Sequence, residues 1–77
     1  MASNTAKLDA MVLGAIKSYT PDRPATRGDL WSMHALQNQC NTFGVWEPIG
    51  VLERSILRLK HSGKIRYSSR PAGWVAV

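Results

Sequence analysis

Acidic residues are scarce in this 77-residue chain and vanish altogether after Glu53. Only 5 Asp and Glu stand against 10 Lys and Arg, which leaves a net charge of +5 and a pI near 10.0. The imbalance grows along the chain: residues 1 to 40 carry 4 basic and 3 acidic groups, residues 41 to 77 carry 6 and 2. An anionic partner is therefore the first hypothesis. Cysteine is limited to Cys40, which excludes an internal disulfide. With His34 and His61 as the other soft ligands, no short-spaced pair is left to hold a structural metal. No apolar run approaches the roughly 20 residues of a membrane span, and the opening MASNTAKLD lacks the apolar core of a signal peptide. The expectation is a soluble, cytoplasmic protein.

Length sets a further bound. A chain of this size makes one domain, here expected over residues 1–77 with 1–5 as a flexible tail, and buries only roughly 60% of its unfolded surface. A separate cofactor domain is excluded. The acids Asp9, Asp22, Asp29, Glu47 and Glu53 form no nucleophile–base pattern, and no glycine-rich phosphate loop precedes a helix. Neither an enzyme nor a cofactor is expected.

What the chain does have is periodicity. Leu8, Met11, Val12, Ala15 and Tyr19 recur at spacings of three and four and predict a helix from Ala6 to Tyr19, with Leu13 pointing away as a second apolar contact. Pro21 and Pro24 end it. Thr26 and Asp29 make a capping-box pattern that opens a second helix from Arg27 to about Leu36, burying Leu30 and Met33. Phe43-Gly44 marks a break. A third helix is expected from Pro48 to about His61, with Trp46 stapled onto Val51 before it. Its core stripe is Ile49, Leu52, Ile56 and Leu59, and Gly63 is its left-handed cap.

Beyond Gly63 the period changes to two. Ile65 and Tyr67 alternate with Lys64, Arg66 and Ser68, then Arg70 to Gly73 supplies a turn and Trp74 to Val77 a return strand. Three helices and a hairpin predict an α+β domain. Down the third helix, Arg54, Arg58 and His61 gather opposite the core, with Val51 and Leu57 at the margins. Such a helix fits the major groove of DNA, where Arg bonds guanine and apolar groups meet thymine methyls. Lys64, Arg66 and Arg70 continue the charge on the hairpin, Ser68 adds a neutral donor, and Arg27 adds another cation.

At this point the chain resembles the winged helix-turn-helix family. The likeness runs through the capped Ala25-Thr26-Arg27-Gly28-Asp29-Leu30, the helix Leu52-Glu53-Arg54-Ser55-Ile56-Leu57-Arg58-Leu59, and the ending His61-Ser62-Gly63-Lys64-Ile65, and covers roughly residues 6 to 77. The resemblance implies that the third helix reads the major groove through Gly50, Val51, Arg54 and Arg58. The hairpin is then the wing, with contacts from Arg66, Ser68 and Arg70. Two departures stand out: the stretch Leu36 to Glu47 is longer than the family's usual turn, and Glu47 and Glu53 lie where phosphates are expected.

The resulting expectation is a small regulator or an architectural accessory of a cell, phage or plasmid. It binds double-stranded DNA by occupancy, and a homodimer on two half-sites uses Leu13 as the contact. The alternative is a winged helix that binds an acidic protein through Val51 and Leu57 framed by Arg54 and Arg58. Trp31, Trp46 and Trp74 are expected to fill space between helices and hairpin rather than to stack on bases. No helix pairs a broad apolar face with flanking lysines, so no membrane partner is expected.

Overall fold

In the computed structural model, which describes residues 4–77, four helices precede one antiparallel hairpin. Helix α1 (Asn4–Lys17) buries Leu8, Val12 and Ile16 completely, a strict four-residue stripe. Ile16 replaces Tyr19 at the end of the expected stripe, because the helix stops at Lys17, where Ser18 Oγ bonds back to the Ala15 carbonyl. Tyr19 still packs against the core, as does Leu13, which does not stand free. Asn4 and Thr5, expected in the tail, are helical; residues 1–3 of that expectation lie outside the described part.

The stretch expected as one helix is two. Helix α2 (Arg27–Trp31) opens with both bonds of the capping box: Thr26 Oγ1 accepts from the Asp29 N–H at 3.0 Å, and Asp29 Oδ2 accepts from the Thr26 N–H at 3.1 Å. Those bonds hold the Asp29 carboxyl below the ordinary carboxylate range. Ser32 then stops the helix by bonding the Asp29 carbonyl, and Met33 is extended. Gln37 Nε2 donates to the freed Trp31 carbonyl at 2.7 Å, satisfying an acceptor left over by the break. Helix α3 (His34–Asn41) follows and buries Leu36 and Cys40. Local side-chain bonding has overridden a continuous apolar pattern here.

Helix α4 (Pro48–His61) begins with proline in its first turn and ends as expected. Gly63 takes φ 77°, its N–H bonds the Lys60 carbonyl, and the Lys64 N–H bonds the Leu59 carbonyl. This is a Schellman cap. Strands β1 (Ile65–Ser69) and β2 (Ala72–Ala76) pair from Ile65 opposite Ala76 to Ser69 opposite Ala72, so the turn is only Arg70-Pro71.

One pairing was not legible beforehand. Ala25 forms an isolated bridge with Trp74, through Ala25 N–H to Trp74 O at 3.0 Å and Trp74 N–H to Ala25 O at 2.7 Å. This fastens the hairpin to the connection between α1 and α2. The approach is close enough to require glycine next door: a Cβ on Gly73, whose φ is 151°, would lie 2.6 Å from Pro24 Cβ and 3.0 Å from the Ala25 carbonyl oxygen.

Gly73→Ala is therefore expected to destabilise the fold by about 1–3 kcal/mol, from strain and displacement of the Ala25 bridge. Urea unfolding monitored by circular dichroism measures it. An unchanged midpoint would show that the hairpin is not held by this contact.

Candidate nucleic-acid interface

The three-and-four periodicity of α4 gives it a buried arc wider than its stripe alone predicts. Leu52, Ile56 and Leu59 are buried as expected, but so are Val51 at 7% exposure and Ser55 at 0%. Helix α1 covers that side. Val51, expected at the margin of the basic face, is a core residue and is unavailable as an anchor. Leu57 does remain accessible, at 47%.

A polar cluster lies between the two helices. Asp9 of α1 receives Arg58 Nη2 at 2.8 Å on one oxygen and Arg58 Nε at 2.9 Å on the other, a bidentate pair, and the buried Ser55 hydroxyl donates to the same carboxylate. Burial by itself pushes the Asp9 carboxyl up. The hydrogen bonds from Arg58 and Ser55, together with the charges of Arg58 and Lys64, outweigh it and hold the group below the ordinary carboxylate range. The same bonds raise Arg58 further above its already high value, against the smaller opposing effect of burial. Arg58 is thus turned toward α1.

A second pair forms on the other flank. Arg27 at the start of α2 bonds Glu53 of α4, with both side chains well exposed. It answers the difficulty posed by an acid on this face, since Glu53 is neutralised by a neighbour. The pair lines a groove of about 290 Å³ together with Ile56, Leu57 and Trp74.

Among the described residues no further ion pair ties down a cation. Along α4 this leaves Gly50, Arg54, Leu57 and His61, at spacings of four, three and four, as one solvent-facing line with Lys60 at its edge. Part of that charge also suits the helix itself, because Lys60 and His61 lie in the last turn, at the negative end of the dipole. Lys64 lies apart from this line: it borders a hollow with Ala6, Asp9 and Leu13 on the α1 side.

The hairpin presents two different faces. Opposed residues share a face, so Ile65, Tyr67, Trp74 and Ala76 lie on one and Arg66, Ser68 and Val75 on the other. Tyr67 meets Trp74 edge-on, with ring centroids 5.1 Å apart and planes at 73°. Trp74 adjoins Leu57, so the α4 side of the hairpin is aromatic. Arg66 is exposed on the opposite face, Ser68 is half-buried, and Arg70 is exposed at the turn.

The expected staple is absent. Trp46 is 95% exposed, whereas Phe43 packs on the core and lines a hollow of about 210 Å³ with Val45, Val51 and Arg54. Phe43 occupies the space beside Val51 that the indole was expected to cover. Trp31 and Trp74 do pack against the core. Cys40 is completely buried, which pushes its thiol up, and among the described residues no three His, Cys, Asp or Glu side chains gather into a metal-binding group.

No family model matches the chain, and no curated protein or solved structure is similar to it. Among the described residues no helix is long and apolar enough to cross a membrane.

The Asp9 cluster has a defined pH signature. A depressed folded-state carboxyl contributes stability that is present above its unfolded value, near pH 4, and lost as pH falls through the folded one. Asp9→Ala is expected to cost about 1–2 kcal/mol at pH 7, reduced from the usual charged-bond value because the Arg58 side chain is 40% exposed. In urea titrations the gap from wild type should close as pH drops from 4 toward 2. A gap that stays constant would mean that the carboxylate is not the group that matters.

Proposed function

We propose that this chain is a winged helix-turn-helix protein that binds duplex DNA, with α4 presented to the major groove and the hairpin meeting the backbone. The reading rests chiefly on the solvent-facing line of α4. Among the described residues its Arg54 has no acid partner, Gly50 permits close approach, and Leu57 offers an apolar contact beside the arginine. These are the groups that read guanine and thymine in a major groove. The element order adds support: a helix, the Ala25 bridge, a helical pair, a long helix and a hairpin.

The contact set is narrower than composition implies. Arg27 and Arg58 are engaged within the protein, Val51 is buried, and Lys64 borders α1. Arg54 and His61 are left for the groove, and Lys60, Arg66 and Arg70 for phosphates. The mechanism is occupancy, with no bond made or broken. A second copy on a second half-site would enlarge the footprint. The half-burial of Leu13 makes it a smaller contact than its sequence position implies.

An acidic protein partner is the second reading. It is favoured by the exposure of Leu57, which lines the groove with Trp74, and of Tyr67, at 54%, which meets Trp74 edge-on.

A salt-titrated duplex assay separates them. With about three phosphates neutralised, log affinity should fall with log salt at a slope of about −2.5 to −3. Arg54→Ala should relax sequence preference by about 1–3 kcal/mol at one position while leaving stability near wild type. Arg58→Ala should do the reverse, lowering the urea midpoint with little change in preference. Absence of duplex binding at low salt would remove the DNA reading and leave the protein partner.

A further inference from the structure

Trp46 is the largest apolar side chain of the chain that the fold leaves uncovered. At 95% exposure it contributes almost nothing to the core, and it stands two residues before Pro48, where α4 begins. Both of its neighbours are exposed as well. Val45 shares a hollow with Arg54 of α4, and Glu47 makes no side-chain capping bond.

We propose that Trp46 stacks its indole on a nucleobase of the bound DNA, next to the position contacted by Arg54. This deepens the DNA reading and rests on it. The immediate chemistry favours a base over a phosphate: an aromatic plane matches the π-face that every base carries, and the exposed Glu47 carboxylate repels phosphate but accepts from the amino group of cytosine. Arg54, close by through Val45, supplies the cation that keeps the strand there. An apolar ring inserted at a base step requires local unstacking, so pyrimidine–purine steps and mismatches are the favoured sites.

The test uses wild type, Trp46→Ala and Trp46→Phe on a matched duplex and on the same duplex with a central mismatch. Trp46→Ala should weaken duplex binding about 5- to 150-fold, the range for loss of one base–aromatic stack. Trp46→Phe should retain most of the affinity. The salt slope should be the same for all three, because no charge has been removed. Wild-type indole emission should be quenched on DNA addition, and the quench should be missing in Trp46→Ala. The mismatched duplex should bind wild type more tightly than the matched one, and that preference should vanish with the ring.

Because the side chain is uncovered, the circular dichroism spectrum and urea midpoint of Trp46→Ala should match wild type. If Trp46→Ala binds both duplexes as wild type does, the stacking role is wrong and the DNA reading survives. If wild type binds neither duplex at low salt, both fall together. Self-association of wild type that is lost in Trp46→Ala, with DNA affinity unchanged, would assign the ring to a second copy and overturn the proposal.

Discussion

The bidentate pair between Asp9 and Arg58 marks the seam between α1 and α4, and together with the burial of Val51, Leu52, Ile56 and Leu59 it sets which side of α4 is turned inward. Fourteen residues of amphipathic helix have a broad choice of rotation about their axis when only Leu52, Ile56 and Leu59 demand burial. The burial of Val51 and the bonds to the carboxylate on α1 narrow that freedom. Arg58 and Ser55 bond Asp9, Val51 lies in the core, and Arg54, Leu57 and His61 face water. A hydroxyl that is wholly buried and an acid whose side chain is 21% exposed would both be costly without these bonds. Together they form a cluster whose members satisfy one another.

The hairpin is held by a different device. Two strands alone are marginal in water, and here the second is backed by the Ala25 bridge and by the packing of Trp74 and Ala76 on the helices. Gly73 is what permits the approach. The consequence for function is orientation: the aromatic face of Tyr67 and Trp74 turns toward α4, and Arg66 is carried on the other side. The positive charge of residues 27 to 77 is therefore divided among the α4 line, the outer face of the hairpin and its turn. The α1 side receives Lys64, and two arginines are consumed by internal pairs.

Much of this frame was readable in the residues. The proline start and glycine end of α4, the Thr26–Asp29 box and the change of period after Gly63 are local signals, complete within a few positions, and each predicted its element. The break at Ser32 was hidden because it depends on side-chain bonds that compete with an apolar pattern still compatible with one helix. The site was legible only in part. Arg54 and His61 follow from periodicity, but the capture of Arg58 by Asp9 spans 49 residues and that of Arg27 by Glu53 spans 26, and nothing local to either arginine announces it. The fate of the tryptophans divided on the same ground. Trp31 and Trp74 met partners in the core, whereas Trp46 stays exposed and Phe43, from the loop between α3 and α4, borders Val51 instead.

The central claim is that the face of α4 opposite its buried stripe is the surface offered to DNA. A titration of isotope-labelled protein with a short duplex at low salt, followed amide by amide in nuclear magnetic resonance spectra, tests it most directly. The account predicts that the largest shifts fall on Gly50, Arg54, Leu57 and His61, with weaker ones at Arg66 and Arg70 and none along α1 around Asp9. Shifts concentrated on α1 or α3, with the α4 line unmoved, would contradict it.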